Sequence, residues 1–276
     1  MLKLTTVVLA VFVLSACSGV GARQQVDQAR SLANAAGLLS MPVETPLPIQ
    51  AYGRIRNPEA PVRVYIEGDG RAWRNARQPS LDPTPHDPVA LKLAAEDPAP
   101  NVLYIARPCQ YLNDPARGCH FKVWTEQRFA HSDQLQQALE QLIGSDREIV
   151  LIGFSGGANL AVQLSARIPS TIGLITVAGN LDSVDFARFH QLPGEAHGQN
   201  ASLLRKMRNV PQLHYSGSED NVIPLQLTRR MLGAVINSPC VGTQLVGGAS
   251  HSGPWRINWE AFEQIQISCA RSNRDR

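Results

Sequence analysis

Glu148-Ile149-Val150-Leu151-Ile152 runs straight into Gly153-Phe154-Ser155-Gly156-Gly157, and a segment of helical period follows at once. A short apolar run bounded in this way suits a strand buried on both faces, which calls for a sheet covered by helices on each side. Between strand and helix, the small residues let the backbone turn sharply and leave one hydroxyl, that of Ser155, exposed at the tip. The N-terminus of the following helix offers N–H groups and a favourable dipole to negative charge forming near Ser155. A pentapeptide of this kind also serves as a plain strand-to-helix turn, so its meaning depends on the rest of the chain.

Apolar segments of strand length alternate with longer segments of helical period. Residues 62–66, 102–106, 149–153, 172–177, 212–216 and 243–246 read as strands, and 88–95, 132–143, 156–168, 225–236 and 258–269 read as helices. This βαβ alternation predicts an α/β fold with a mostly parallel sheet and helices on both faces. Residues 49–55 are expected to pair with 62–66 as an antiparallel edge hairpin. The 276 residues would allow one large domain or two small ones, and 43% hydrophobic with 18% charged residues supplies a core. No composition break divides the chain after residue 49, so 49–276 reads as one domain.

The first residues have a different character. Lys3 is followed by an apolar stretch from Val7 to Leu14 and by the small residues Ser15 and Ala16, the layout of an export signal over 1–16. Leu14-Ser15-Ala16-Cys17 resembles the lipobox of bacterial lipoproteins, which implies a lipidated Cys17 as first residue of the mature chain; an ordinary secretory signal is the alternative. By the same resemblance, Ser18 in place of an aspartate implies sorting to the outer membrane, facing the periplasm. The apolar stretch is shorter than the roughly 20 residues of a membrane-spanning helix. Residues 17–48, with a short helix over 24–38 and a proline-bearing stretch from Pro42 to Pro48, read as a tether. Loss of residues 1–16 removes one lysine and leaves 25 basic against 23 acidic side chains, too even a balance to indicate a nucleic-acid partner.

Once Cys17 is set aside, four cysteines remain for an oxidising compartment. Three pairings are open, and buried free thiols are the alternative. The local pairing is preferred, Cys109 with Cys119 across a short loop and Cys240 with Cys269 between two late segments.

In its strand-turn-helix setting, Gly153-Phe154-Ser155-Gly156-Gly157 resembles the nucleophile elbow of the α/β-hydrolase superfamily, and the resemblance extends from about residue 60 to the end. It implies a triad in the chain order Ser, acid, His. His251, in the Gly-rich loop 247–253, is the only histidine after Asp220, whereas His214 lies inside an apolar strand and reads as structural. Asp220, in a loop between strand and helix, is the implied acid; Asp182, after the preceding strand, is the alternative, and Glu219 is an easily confused neighbour. The oxyanion donors would be the N–H of Gly156 and that of Asp69 in Glu67-Gly68-Asp69-Gly70, where the family commonly has His-Gly; Gly70 is the alternative. Arg71 and Trp73 could line the pocket, and His120, Trp124 and Arg128 are compatible with substrate binding or with packing.

The implied function is a lipid-anchored serine hydrolase, a carboxylesterase first, with a peptidase, an acyltransferase or a non-catalytic tethered binding protein as alternatives. Its partners would be a small acyl substrate and, through the lipid, a membrane. No cofactor, metal, nucleic acid or protein partner is called for. The segment 181–210 leaves room for a short cover of one or two helices, which suits an open site and soluble, short-to-medium acyl esters.

Overall fold

A computed structural model describes residues 23–75, 78–233 and 235–275. Cys17 and the signal segment 1–16 lie outside the described residues. Eight strands of one sheet are ordered β1 (Leu39–Ser40), β2 (Ala51–Ile55), β6 (Asn101–Ile105), β3 (Val62–Ile66), β7 (Ile149–Phe154), β8 (Thr171–Val177), β9 (Gln212–Gly217) and β10 (Val241–Val246). From β6 to β10 all neighbours are parallel, while β1 and β2 are antiparallel at one edge. A small hairpin, β4 (Trp73–Asn75) with β5 (Gln78–Pro79), stands apart.

The sheet separates two apolar cores. On one side, α4 (Ser132–Ile143), α5 (Gly156–Ser165) and α8 (Leu225–Leu232) contribute Leu135, Leu160 and Leu227. On the other, α2 (Val89–Glu96) and α9 (Trp259–Arg274) contribute Leu91 and Phe262. β7 is buried at all six positions, as a continuous apolar run between two helical layers requires. Gly173 and Gly242 leave room for the Phe262 ring and the Ile265 side chain of α9, each of which would lie 2.4 Å from an added Cβ.

Two expectations are corrected. β2 pairs antiparallel with β6 rather than with β3, which itself lies between β6 and β7. The connection 56–61 wraps around the Asn101 side chain, which accepts from the N–H groups of Arg56 and Asn57 and donates to the carbonyls of Asn57 and Ala60. That contact carries the chain across the start of β6 instead of turning it back in a hairpin. The part of the expected tether from residue 23 onward is packed into the fold. Residues 23–35 form helix α1, and Ala29, Ala33 and Leu38 are buried against the sheet. Arg54 then donates to the carbonyl of Ala36, β1 joins β2, and Gln141 exchanges hydrogen bonds with the backbone of Glu44.

Both cysteine pairs form as expected, with S–S distances of 2.08 Å for Cys109–Cys119 and 1.98 Å for Cys240–Cys269. The segment after β8 forms two short helices, α6 (Ser183–His190) and α7 (Ala201–Lys206), with Leu204 and Met207 buried in the core.

Candidate active site

Ser155 stands between β7 and α5 with φ 50° and ψ −120°, a conformation that L residues seldom adopt and that is found at sharp functional turns. Close packing around it explains its glycine neighbours. A Cβ at Gly153 would lie 2.4 Å from Ala158 Cα, and one at Gly157 would lie 2.4 Å from the carbonyls of Ile66 and Glu67. The turn is pinned by Ser155 N–H donating to Val177 O at 3.0 Å and Asn180 N–H donating to Ser155 O at 3.0 Å.

The loops after β9 and β10 are fastened together. Glu219 N–H donates to Ala249 O at 3.0 Å, and Gly248 N–H donates to Ser218 Oγ at 2.8 Å. This brings His251 between two partners: its Nε2 is 2.9 Å from Ser155 Oγ and its Nδ1 is 2.9 Å from Asp220 Oδ2. The other Asp220 oxygen accepts from the N–H groups of Val222 and Ile223, each at 2.8 Å. Burial opposes ionisation of Asp220, but the His251 contact and these N–H groups outweigh it and hold the carboxyl below its ordinary range. Trp255 Nε1 donates to the backbone carbonyl of His251 and fixes its loop, and the Phe154 ring lies 5.3 Å from the imidazole.

The competing residues are placed elsewhere. Asp182 caps α6, accepting from Val184, Asp185 and, through its second oxygen, Ala201 N–H. Glu219 is exposed while Asp220 is buried. His214 is fully buried beside Thr176 Oγ1 at 2.8 Å, and burial pulls its pKa down to about 3, so it is a neutral packed side chain.

Gly156 and Asp69 face each other across the elbow: a Cβ on Gly156 would lie 2.1 Å from Asp69 Oδ1. Neither of their N–H groups has an acceptor among the described residues. The Asp69 carboxylate is clamped by two guanidinium groups, Arg107 at 2.7 Å and Arg128 at 2.6 Å, and Arg128 also pairs with Glu195 from the segment between α6 and α7. Burial raises the Asp69 pKa, but Arg128 and Arg107 overcome this and hold it below its usual value. Arg128, which reads from sequence as a residue suited to substrate binding or packing, thus lies in the clamp. Arg107 and Glu195 escaped the sequence reading; the only sequence signal was that Arg107 follows β6 on the edge where Asp69 follows β3. Arg71 and Trp73 are exposed beyond this loop, His120 is exposed, and Trp124 is buried with its Nε1 donating to Ser80 O.

Beneath the loop, Glu67 is buried and accepts from the N–H groups of Gly68, Ala90 and Leu91 and from the Tyr104 hydroxyl. Burial outweighs these bonds and pushes its pKa up to about 7. The first turn of α2 is thereby attached to the end of β3.

No protein-family model matches the chain, and no curated protein matches its sequence. Solved structures do match. A membrane phospholipase A described as a bacterial virulence factor is 15% identical, with 95% of this chain and 97% of that one covered and a TM-score of 0.51. An esterase domain from a Rhodothermus marinus protein is 11% identical over 82% and 92%, at 0.50. A CIB-like hydrolase from Thermoplasma acidophilum is 16% identical over 85% and 97%, at 0.50. Strand order, helical layers and these likenesses together define the fold as that of the α/β hydrolases.

Proposed function

We propose that this protein is a serine hydrolase that cleaves carboxylic esters through an acyl-enzyme on Ser155, and that a lipid on Cys17 holds it at a bacterial cell envelope. The observation that carries the catalytic part is the continuous hydrogen-bonded chain from Ser155 Oγ through His251 to Asp220. In the proposed reaction Ser155 Oγ attacks the acyl carbonyl while His251 Nε2 takes its proton. Asp220 holds the opposite proton on Nδ1 and stabilises the imidazolium. The N–H groups of Gly156 and Asp69 receive the developing oxyanion, and His251 returns the proton to the leaving alcohol. Water, deprotonated by the same imidazole, then releases the acid.

The solved neighbours include an esterase domain and a phospholipase A, which suit ester cleavage, and a puromycin-hydrolysing peptidase, which makes amide cleavage the alternative. The short α6–α7 segment, its Leu204 and Met207 turned into the core, favours short-to-medium acyl chains. A panel of nitrophenyl esters from about two to sixteen carbons and matched anilides tests the reading. Turnover of esters well above anilides, falling with the longest chains, is expected. Anilide turnover equal to or above that of esters would replace it with a peptidase.

A further inference from the structure

Ten large apolar side chains are exposed among the described residues, and Trp73, Leu81, Leu112 and Phe121 are four of them. They sit on segments that are tied to one another beyond β3 and β6. Asn113 Nδ2 donates to Leu81 O at 2.8 Å, Trp124 Nε1 donates to Ser80 O at 3.2 Å, and Trp73 pairs with Pro79 across the β4–β5 hairpin. The Cys109–Cys119 disulfide staples the loop bearing Leu112, and helix α3 (Phe121–Trp124) follows directly. Leu81 is 79% exposed. Arg71, Arg74 and Lys122 are exposed among these tips; Lys122 is paired with Glu126 at 3.9 Å, whereas neither Arg71 nor Arg74 has a carboxylate partner among the described residues. Apolar tips that include a tryptophan, set among cations, have the composition of a surface that settles into the headgroup region of an anionic bilayer.

The first described residues lie close to these segments. Gln25, in the first described turn of α1, hydrogen-bonds His86, which lies five residues after Leu81 in the segment leading into α2. The first turn of α2 is the one that grips Glu67, two residues before Asp69. From Gln25 back to Cys17 is eight residues, a reach of at most about 28 Å. A lipid on Cys17 would therefore lie within that reach of the segment that leads from Leu81 into α2.

We infer that these loops form a membrane-contact surface, by which the protein lies on an anionic phospholipid bilayer. The role of Cys17 rests on the lipid-anchor reading above; the surface itself does not. The test uses the mature chain from residue 17 with Cys17→Ser, so that no lipid contributes, sedimented with vesicles of phosphatidylglycerol and phosphatidylethanolamine or of phosphatidylcholine alone. Binding to the phosphatidylglycerol vesicles that weakens with salt is expected. Leu81→Ser together with Phe121→Ser should weaken it about tenfold or more, with thermal unfolding unchanged. Should the double variant unfold early, Leu81→Gln alone in the same assay should still weaken binding severalfold. Absence of vesicle binding by the parent, equal binding by the variants, or self-association abolished by the same substitutions would overturn the inference. The mass of Cys17 in the natively processed protein decides the lipid reading separately, and ester turnover decides the hydrolase reading.

Discussion

Asp69→Asn keeps the shape of the side chain that fills the space above Gly156 but removes the charge between two guanidinium groups. It also sets an amide NH2 against one of them, donor against donor. Arg128 retains Glu195 through two contacts. Arg107, whose side chain is 6% exposed, is left with the carbonyl of Arg128 and no carboxylate in contact. Removing one partner of a buried ion pair costs about 3–5 kcal/mol, because the other charge stays behind without compensation. The Asp69 side chain is 21% exposed and water can relieve part of this, so a loss near the lower end, about 3 kcal/mol, is expected. Asp133→Asn provides the internal control. It breaks the Arg167 pair, whose side chains are 43% and 69% exposed, and should change stability by about 1 kcal/mol or less. Urea unfolding of the three proteins, run in parallel, gives both numbers. The Asp69 N–H belongs to the same loop, so ester turnover should also fall, by about a hundredfold if that donor is displaced. Equal losses for Asp69→Asn and Asp133→Asn, with turnover preserved, would refute the view that the clamp holds the loop in place.

The carboxylate assigned to His251 is tested by ranking. Asp220→Asn should lower ester turnover about 10⁴-fold through loss of the imidazole tautomer, whereas Asp182→Asn should act on stability, since Asp182 caps α6; turnover rates and urea midpoints separate the two. Glu67 predicts a pH effect of definite sign. Its carboxyl titrates at about 7 when folded and at 4.5 otherwise, so between these values the unfolded chain has released a proton that the folded one retains, and stability falls as pH rises. The decline attributable to this group is about 3 kcal/mol at most. Glu67→Gln should flatten it across that window, as measured by urea unfolding at a series of pH values.

The grouping of Ser155, Asp220 and His251 was legible because each follows a strand of the parallel sheet, and loops at the C-terminal ends of parallel strands converge on one edge. The buried strand β7 was legible from its unbroken apolar run. Other features depended on contacts that no local pattern records. The pairing of β2 with β6 turns on a single side chain, Asn101, whose amide organises a connection more than forty residues away in sequence. Helix α1 was legible as a helix, but its burial rests on Ala29 and Ala33, residues too small for their spacing to announce a core face. The clamp on Asp69 draws Arg107, Arg128 and Glu195 from three separate connections; Arg128 was legible only as a residue suited to substrate binding or packing, and nothing local in the sequence joins the three.

The central claim is that Ser155 is an activated nucleophile, and a fluorophosphonate tests it directly by phosphonylating only such a hydroxyl. Intact mass of the treated protein should rise by one adduct, peptide mapping should place it on Ser155, and Ser155→Ala should remain unlabelled while unfolding at the same urea concentration. Absence of an adduct on the folded wild-type protein, or an adduct of the same stoichiometry on Ser155→Ala, would contradict the account.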